Sequence, residues 1–190
     1  MEPDNQDLLD ELAKDLPGNY RQLVEQYWKP LRIFVLRRMI PAQDAEDMLQ
    51  EIFSRAFFDL QRSSVQKIQT LKLRGWLYTI AWNACTNHLR SRQPILLSLE
   101  GEDDAVIELE DPHSEQPEDL FELKEKREEL EALIETLPSR YRNVISLYFF
   151  EGFSQQEIAE MLEVRVGTVK VSVYRGLKLL HKALVAQQTR

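Results

Sequence analysis

Residues 94–121 constrain the fold more than any other part of the chain. They carry ten acidic and no basic side chains, and they include Pro94, Gly101, Pro112 and Pro117. Charge self-repulsion and helix breakers together favour an extended, solvated strap. Yet Ile95, Leu96, Leu97, Leu99, Val106 and Ile107 punctuate it, and such residues suit either docking on a partner or weak pairing as a strand. The strap reads as a flexible tether, with local anchoring, between two domains. A chain of 190 residues has room for one ordinary domain or two small ones.

The same strap accounts for the charge. The formal net charge of -8 at first sight argues against a nucleic-acid partner. But residues 1–93 carry 13 basic and 12 acidic side chains, and residues 122–190 carry 11 basic and 10 acidic. The whole deficit lies in the strap, and charge placement matters more here than the total. No apolar run approaches the roughly 20 residues needed to cross a bilayer. The opening Met1-Glu-Pro-Asp-Asn-Gln-Asp7 lacks the basic and apolar regions of a signal peptide. A cytoplasmic protein without membrane insertion is expected. Cys85 is the sole cysteine, which rules out an intrachain disulfide and a cysteine-rich zinc site. Within the apolar run Ala81-Trp-Asn-Ala-Cys85 it reads as a buried small hydrophobe rather than a redox or catalytic group.

On either side of the strap, apolar residues recur at helical spacing. Helices are expected over Asn5–Asp15, Asn19–Ile40 with a bend at Pro30, Asp44–Gln61 and Thr70–Arg92, then over Asp119–Thr136, Ser139–Glu151, Ser154–Leu162 and Val166–Ala186. Asp44 reads as an N-cap. From it Met48, Ile52, Ala56 and Leu60 repeat every four residues, an amphipathic face. No alternating strand pattern of any length occurs. The fold class is all-α, with a helical bundle at residues 19–93 after an extension at 1–18, the strap at 94–121, and a helix-turn-helix domain at 122–190.

The sharpest local signal is Ser154-Gln-Gln-Glu157, a capping box. Ile158, Ala159 and Leu162 then form an apolar edge, and a break at Glu163-Val-Arg165 leads to a second helix. There Val166, Val169, Val173, Leu177 and Leu180 form a stripe for burial. Two short helices joined by a turn of a few residues suggest a helix-turn-helix. From Val164 to Arg190 there is no acidic residue, while Arg165, Lys170, Arg175, Lys178, Lys182 and Arg190 are basic. Lysines and arginines neutralise phosphates, and Thr168, Val171 and Tyr174 suit base edges or thymine methyl groups. An ordinary solvated helix is the plainer alternative, and the pattern favours DNA over it.

A second acid-free run lies between Asp59 and Glu100. It contains Arg62, Lys67, Lys72, Arg74, Arg90 and Arg92, interleaved with Trp76, Tyr78 and Trp82. Cations draw in the phosphate backbone and aromatic faces hold unstacked bases, and strand separation needs both. Over Arg74–Arg92, Trp76, Leu77, Ile80 and Ala84 fall in one arc and are expected in the core. Thr79, Asn83, Thr86 and Arg90 form a polar stripe, the better candidate for DNA contact. Tyr78 and Trp82 flank the core, and burial and base stacking remain equally open for both.

These segments resemble extracytoplasmic-function (ECF) sigma factors. Leu137-Pro-Ser-Arg-Tyr-Arg-Asn-Val-Ile-Ser-Leu147, Phe149-Phe-Glu-Gly-Phe-Ser-Gln-Gln-Glu-Ile-Ala-Glu-Met-Leu162 and Val166-Gly-Thr-Val-Lys170 are similar to the family's C-terminal domain. That resemblance implies reading of the upstream (-35) promoter element through Arg165, Thr168, Lys170, Val171, Tyr174, Arg175 and Lys178. Tyr20-Arg-Gln-Leu-Val-Glu-Gln-Tyr-Trp28, Asp44-Ala-Glu-Asp-Met-Leu-Gln-Glu-Ile-Phe53 and the Arg74–Arg92 helix are similar to its N-terminal domain. There it implies docking on the polymerase clamp through Asp47, Gln50 and Glu51. It also implies engagement and melting of the downstream (-10) element by Lys72, Arg74, Asn83 and Arg90, with Tyr78 and Trp82 as the aromatic candidates. Core RNA polymerase and promoter DNA are the implied partners, and an anti-sigma factor is a further partner the family admits.

Departures from the family pattern are Glu163 where Gly is usual, Arg165 for Pro, Ser172 and Leu177 at positions often basic, Trp82 for Arg and Asn87 for Asp. A residue forced into the left-handed region costs about 1 kcal/mol relative to Gly, so a slightly remodelled turn is expected at Glu163. The resemblance also implies that the acidic strap threads polymerase channels, against the plainer reading of a solubilising spacer. No nucleophile-and-base pair, phosphate-cradling glycine loop or metal-ligand cluster is present in the sequence. His88 and the carboxylates Asp44, Glu46, Asp47 and Glu51 do not assemble one. Neither a cofactor nor a metal nor catalysis is expected. A stand-alone repressor and a sigma-like decoy that binds polymerase without reading DNA are the remaining rivals.

Overall fold

The computed structural model describes residues 5–38, 40–92 and 130–188. The strap at 94–121, with its expected anchoring and threading, and the expected helix start at Asp119 lie outside the described residues. The described residues are helical, without a strand, and fall into two compact units, one before the strap and one after it.

In the first unit α1 (Gln6–Lys14) is followed by α2 (Leu16–Arg37), α3 (Ala42–Gln61), α4 (Val65–Gln69) and α5 (Leu73–Arg92). Asp15 separates α1 from α2: its carboxylate accepts from the Gly18 N–H at 3.1 Å, with Pro17 in the first turn. α2 continues through Pro30 to Arg37. α3 begins two residues before the expected cap. Pro41 precedes it, and the Asp44 N–H donates to the Pro41 carbonyl at 2.9 Å. Asp44 is therefore inside the first turn, where its charge complements the helix N-terminus. α2 packs on α3, α3 on α5 and α1 on both α2 and α4. Leu23, Leu31, Val35, Leu49, Ile52 and Leu77 are fully buried between them.

Two expectations for the last helix of this unit are corrected. The helix starts at Leu73 rather than Thr70, because Ser64 caps a separate short helix, α4, by accepting from the Lys67 N–H at 3.3 Å. Its buried arc is Leu73, Leu77, Tyr78, Ala81, Ala84 and Cys85, whereas Trp76 and Ile80 are only half-buried. The arc centres on Leu77 and Ala81, and one residue step of about 100° carries Trp76 out of it.

The second unit opens with helical residues 130–135, followed by α6 (Ser139–Phe149), α7 (Gln155–Leu162) and α8 (Val166–Gln188). Ile145, Leu147, Phe153, Ile158 and Val169 fill its core. α6 stops before Glu151, and Gly152 at φ 65 turns the chain into α7. Both halves of the capping box form, with the Ser154 hydroxyl accepting from the Glu157 N–H and the Glu157 carboxylate accepting from the Ser154 N–H at 2.8 Å. At the other end Glu163 itself occupies the left-handed region, φ 56 and ψ 40. The Val164 N–H reaches the Ala159 carbonyl at 3.0 Å and the Glu163 N–H the Glu160 carbonyl at 3.3 Å, the bonds of a Schellman motif. The turn thus keeps a glycine's geometry without a glycine.

α8 buries Val169, Val173, Gly176 and Leu180, while Leu177 is 39% exposed and Val166 half-buried. Gly176 replaces Leu177 in the stripe because α8 lies against α6: a Cβ at Gly176 would stand 2.7 Å from Ile145 Cγ1. Ile145 is fully buried and has nowhere to go.

Gly176→Ala should therefore destabilise the second unit by about 1–2 kcal/mol, overpacking outweighing the better helix propensity. Glu163→Gly should stabilise it by up to about 1 kcal/mol. Hydrogen exchange of α6–α8 amides reads both, and equal protection in the two variants would contradict the packing described. Burial pushes the Cys85 thiol up to about 11, with the nearby Arg38 charge opposing the shift. At pH 8 iodoacetamide should leave Cys85 intact in the native protein and alkylate it fully in urea. Rapid native labelling would contradict its placement.

Candidate nucleic-acid and polymerase interfaces

The outward face of α8 follows from its buried one. Gly167, Val171, Tyr174 and Lys178 succeed one another at offsets of four, three and four, so they stack directly opposite Val169, Val173 and Leu180. Arg165, Thr168, Lys170, Tyr174, Arg175 and Lys178 are exposed, and Val171 is part-buried. From Gly167 to Lys178 the stripe runs about 16 Å, on a helix slim enough for a DNA major groove of about 12 Å. Ion pairs form in the first unit at Arg21–Glu25 and Glu51–Arg55. The structure brings all seven sequence-derived residues onto α8 and the turn before it.

In the first unit, α5 turns Asn83 and Arg90 to solvent, with Thr79 and Thr86 part-buried between them. Thr79 Oγ1 donates to the Gly75 carbonyl at 2.8 Å, and Thr86 Oγ1 accepts from Arg38 Nη2 at 3.0 Å. The same Arg38 guanidinium lies 3.5 Å over the ring of Trp82. Trp82 thus already has a cation on one face. Tyr78 is corrected: it is 2% exposed, edge-on to Phe34 at 5.1 Å. A ring locked there by α2 cannot receive a base. Lys72 is exposed, and the part-buried Arg74 holds its guanidinium 5.4 Å over Tyr78.

A cleft of about 360 Å³ opens beside this helix, lined among others by Asp59, Arg62, Ser63, Lys67, Leu71 and Trp76. Two cations and a half-exposed tryptophan share this concave space with the Asp59 carboxylate. Sequence reasoning named these cations and Trp76 but did not join them into a site. The joining element is α4, too short to leave a periodic signal.

On α3, Asp47, Gln50 and Glu51 are exposed, opposite the buried Met48, Leu49, Ile52 and Phe53. Glu51 pairs with Arg55 one turn on. Phe58, 54% exposed, lies on the same outward arc and was not singled out in the sequence. Asp44 Oδ2 stands 3.7 Å from His88 Nε2 across α3 and α5. Among the described residues no group of three or more His, Cys, Asp or Glu side chains is placed to hold a metal ion. Nor is any described helix long and apolar enough to cross a membrane.

Known proteins match both units. The family model for Sigma-70 region 2 matches residues 23–95, and that for Sigma-70, region 4 matches residues 127–180. The ECF RNA polymerase sigma factor SigE of Mycolicibacterium smegmatis is 31% identical over 166 residues, 87% of this chain. The match spans 62% of that protein's length. The ECF RNA polymerase sigma-E factor of Escherichia coli K12 is 30% identical over 187 residues, covering 90% of each chain. In fold, the chain is similar to the sigma factor RpoE of Bartonella quintana, solved with the anti-sigma factor NepR. The TM-score is 0.60 at 20% identity, covering 87% of this chain and 96% of that one. With matches over both helical units and along nearly the full length of the Escherichia coli protein, the chain belongs to the ECF family of RNA polymerase sigma factors.

Proposed function

We propose that this sigma factor divides promoter recognition between its two units. As a member of its family it associates with core RNA polymerase and recognises promoter DNA to initiate transcription. In this reading α8 lies in the major groove of the upstream element. Lys170, Arg175, Lys178 and Arg165 hold phosphates, while Thr168, Val171 and Tyr174 meet base edges. α5 takes the downstream element through Asn83, Arg90 and Trp82, with Lys72 and Arg74 drawing in the backbone. The Arg62–Lys67–Trp76 cleft receives an unstacked base. Asp47, Gln50 and Glu51 on α3 face polymerase.

The observation that carries the reading is that each unit turns outward an acid-free helix face bearing cations, while the chain as a whole is acidic. Unstacking a base costs a few kcal/mol, and aromatic stacking at about 1–3 kcal/mol per base, together with phosphate contacts, offsets it. The work is binding work, done in the cytoplasm without a cofactor or a reaction of the protein's own. An anti-sigma factor as a further partner fits the complex in which the Bartonella quintana protein was solved.

Run-off transcription with core polymerase tests the reading. Promoter-specific transcripts are expected. Polymerase binding without transcripts would make the chain a decoy, and dimeric operator binding without polymerase would make it a repressor. In the same complexes Lys170→Ala and Arg175→Ala should each weaken upstream binding and flatten the dependence of log K on log salt by about one. An unchanged slope in both variants would remove these residues from the interface.

A further inference from the structure

We infer that α1 is a latch that holds α4 in place and thereby sets the shape of the Arg62–Lys67–Trp76 cleft. Asp10, Gln6 and Gln69 are then positioning residues for strand opening. This rests on the reading of that cleft as a DNA site.

α4 has five residues, far below the length at which a helix is stable by itself. Its conformation must come from its neighbours, and the helix it packs against is α1; its contacts with the others are slighter. Beside the junction, Leu12 of α1 and Val65 and Ile68 of α4 line an open depression of about 230 Å³. The apolar contact is supplemented there by two polar contacts at Gln69, the last residue of α4. Its backbone carbonyl accepts from Gln6 Nε2 at 3.2 Å, and its own Nε2 donates to Asp10 Oδ1 at 2.9 Å. The second bond is part-buried and ends on a carboxylate, which makes it stronger than a neutral one.

α1 is itself well anchored. Leu8, Leu9 and Leu12 are buried. Asn5 Nδ2 donates to the Tyr27 hydroxyl at 3.0 Å, and Gln26 Nε2 donates to Asn5 Oδ1 at 2.8 Å. The load path is therefore α2 to α1 to Gln69 to α4, and α4 carries Lys67 on the cleft rim and leads directly to Leu71. Releasing Gln69 lets Lys67 drift away from Trp76, while α3, which carries the proposed polymerase face, is untouched. An N-terminal segment that looked separable in sequence becomes part of the opening apparatus.

The test uses the full chain with core polymerase and duplex promoter carrying 2-aminopurine in the downstream element. Asp10→Ala and Gln69→Ala should slow the fluorescence rise about three- to tenfold, with polymerase affinity unchanged. Asp10→Asn keeps an acceptor oxygen and should restore most of the rate. Lys67→Ala should also slow opening, and its effect should not add to that of Asp10→Ala, since both act through one side chain. If Lys67→Ala opens DNA normally, the cleft is not a DNA site and the latch inference falls with it. If Lys67→Ala is slow but the latch variants are normal, add fully to it, or lose polymerase binding in parallel, the latch is refuted and the cleft reading stands.

Discussion

Burial of one face of α5 and one face of α8 is the constraint on which everything else depends. Leu77, Ala81, Ala84 and Cys85 are essentially inaccessible on the first helix, and Val169, Val173 and Leu180 on the second. A side chain has no choice of direction once the opposite face is locked in this way. The cations of each helix therefore leave the backbone from fixed points on the outward face, although their long side chains stay mobile. That preorganisation matters because each phosphate contact must outweigh the entropy of holding a long side chain still. The same locking explains the tight approach at Gly176, which lets α8 settle on Ile145. It also explains why Tyr78, wedged against Phe34, is structural despite its place in a cationic run.

The fold was legible in the sequence where local chemistry is self-sufficient. Ser154 and Glu157 cap each other three positions apart, so the pattern alone announces the start of α7. Glu163 followed the same logic with the opposite outcome. The sequence showed that a glycine was missing, and only the backbone shows that glutamate takes the left-handed conformation regardless. What stayed hidden was set by tertiary packing. α4 exists because α1 supports it, and no window of five residues carries such information. Trp76, expected in the core, is only half-buried, while Tyr78, for which burial and stacking were both open, is inside, since a rotation of the buried arc by one residue step decides which aromatic is enclosed. The cleft was illegible for the same reason: Arg62, Lys67 and Trp76 lie on separate elements, and their convergence is a property of the loop path.

Charge is distributed so that the two cationic faces operate within an acidic chain. Residues 94–121 hold ten carboxylates and no cation, whereas the stretch between Asp59 and Glu100 and that from Val164 onward hold no carboxylate. Screening limits the reach of such charges to about 8–10 Å at physiological salt, so a face reads its immediate surroundings rather than the net charge. Fewer basic residues on α8 than its family usually carries, with Ser172 and Leu177 at two of those positions, point to a weaker grip upstream.

The central claim is that the two units grip the promoter separately and that opening belongs to the first. Permanganate footprinting of the complex with core polymerase on promoter DNA tests it most directly. In the double variant Asn83→Ala/Arg90→Ala the account predicts that thymines of the downstream element lose their reactivity while the upstream element stays protected from nuclease. Loss of both signals together, or of neither, would contradict it.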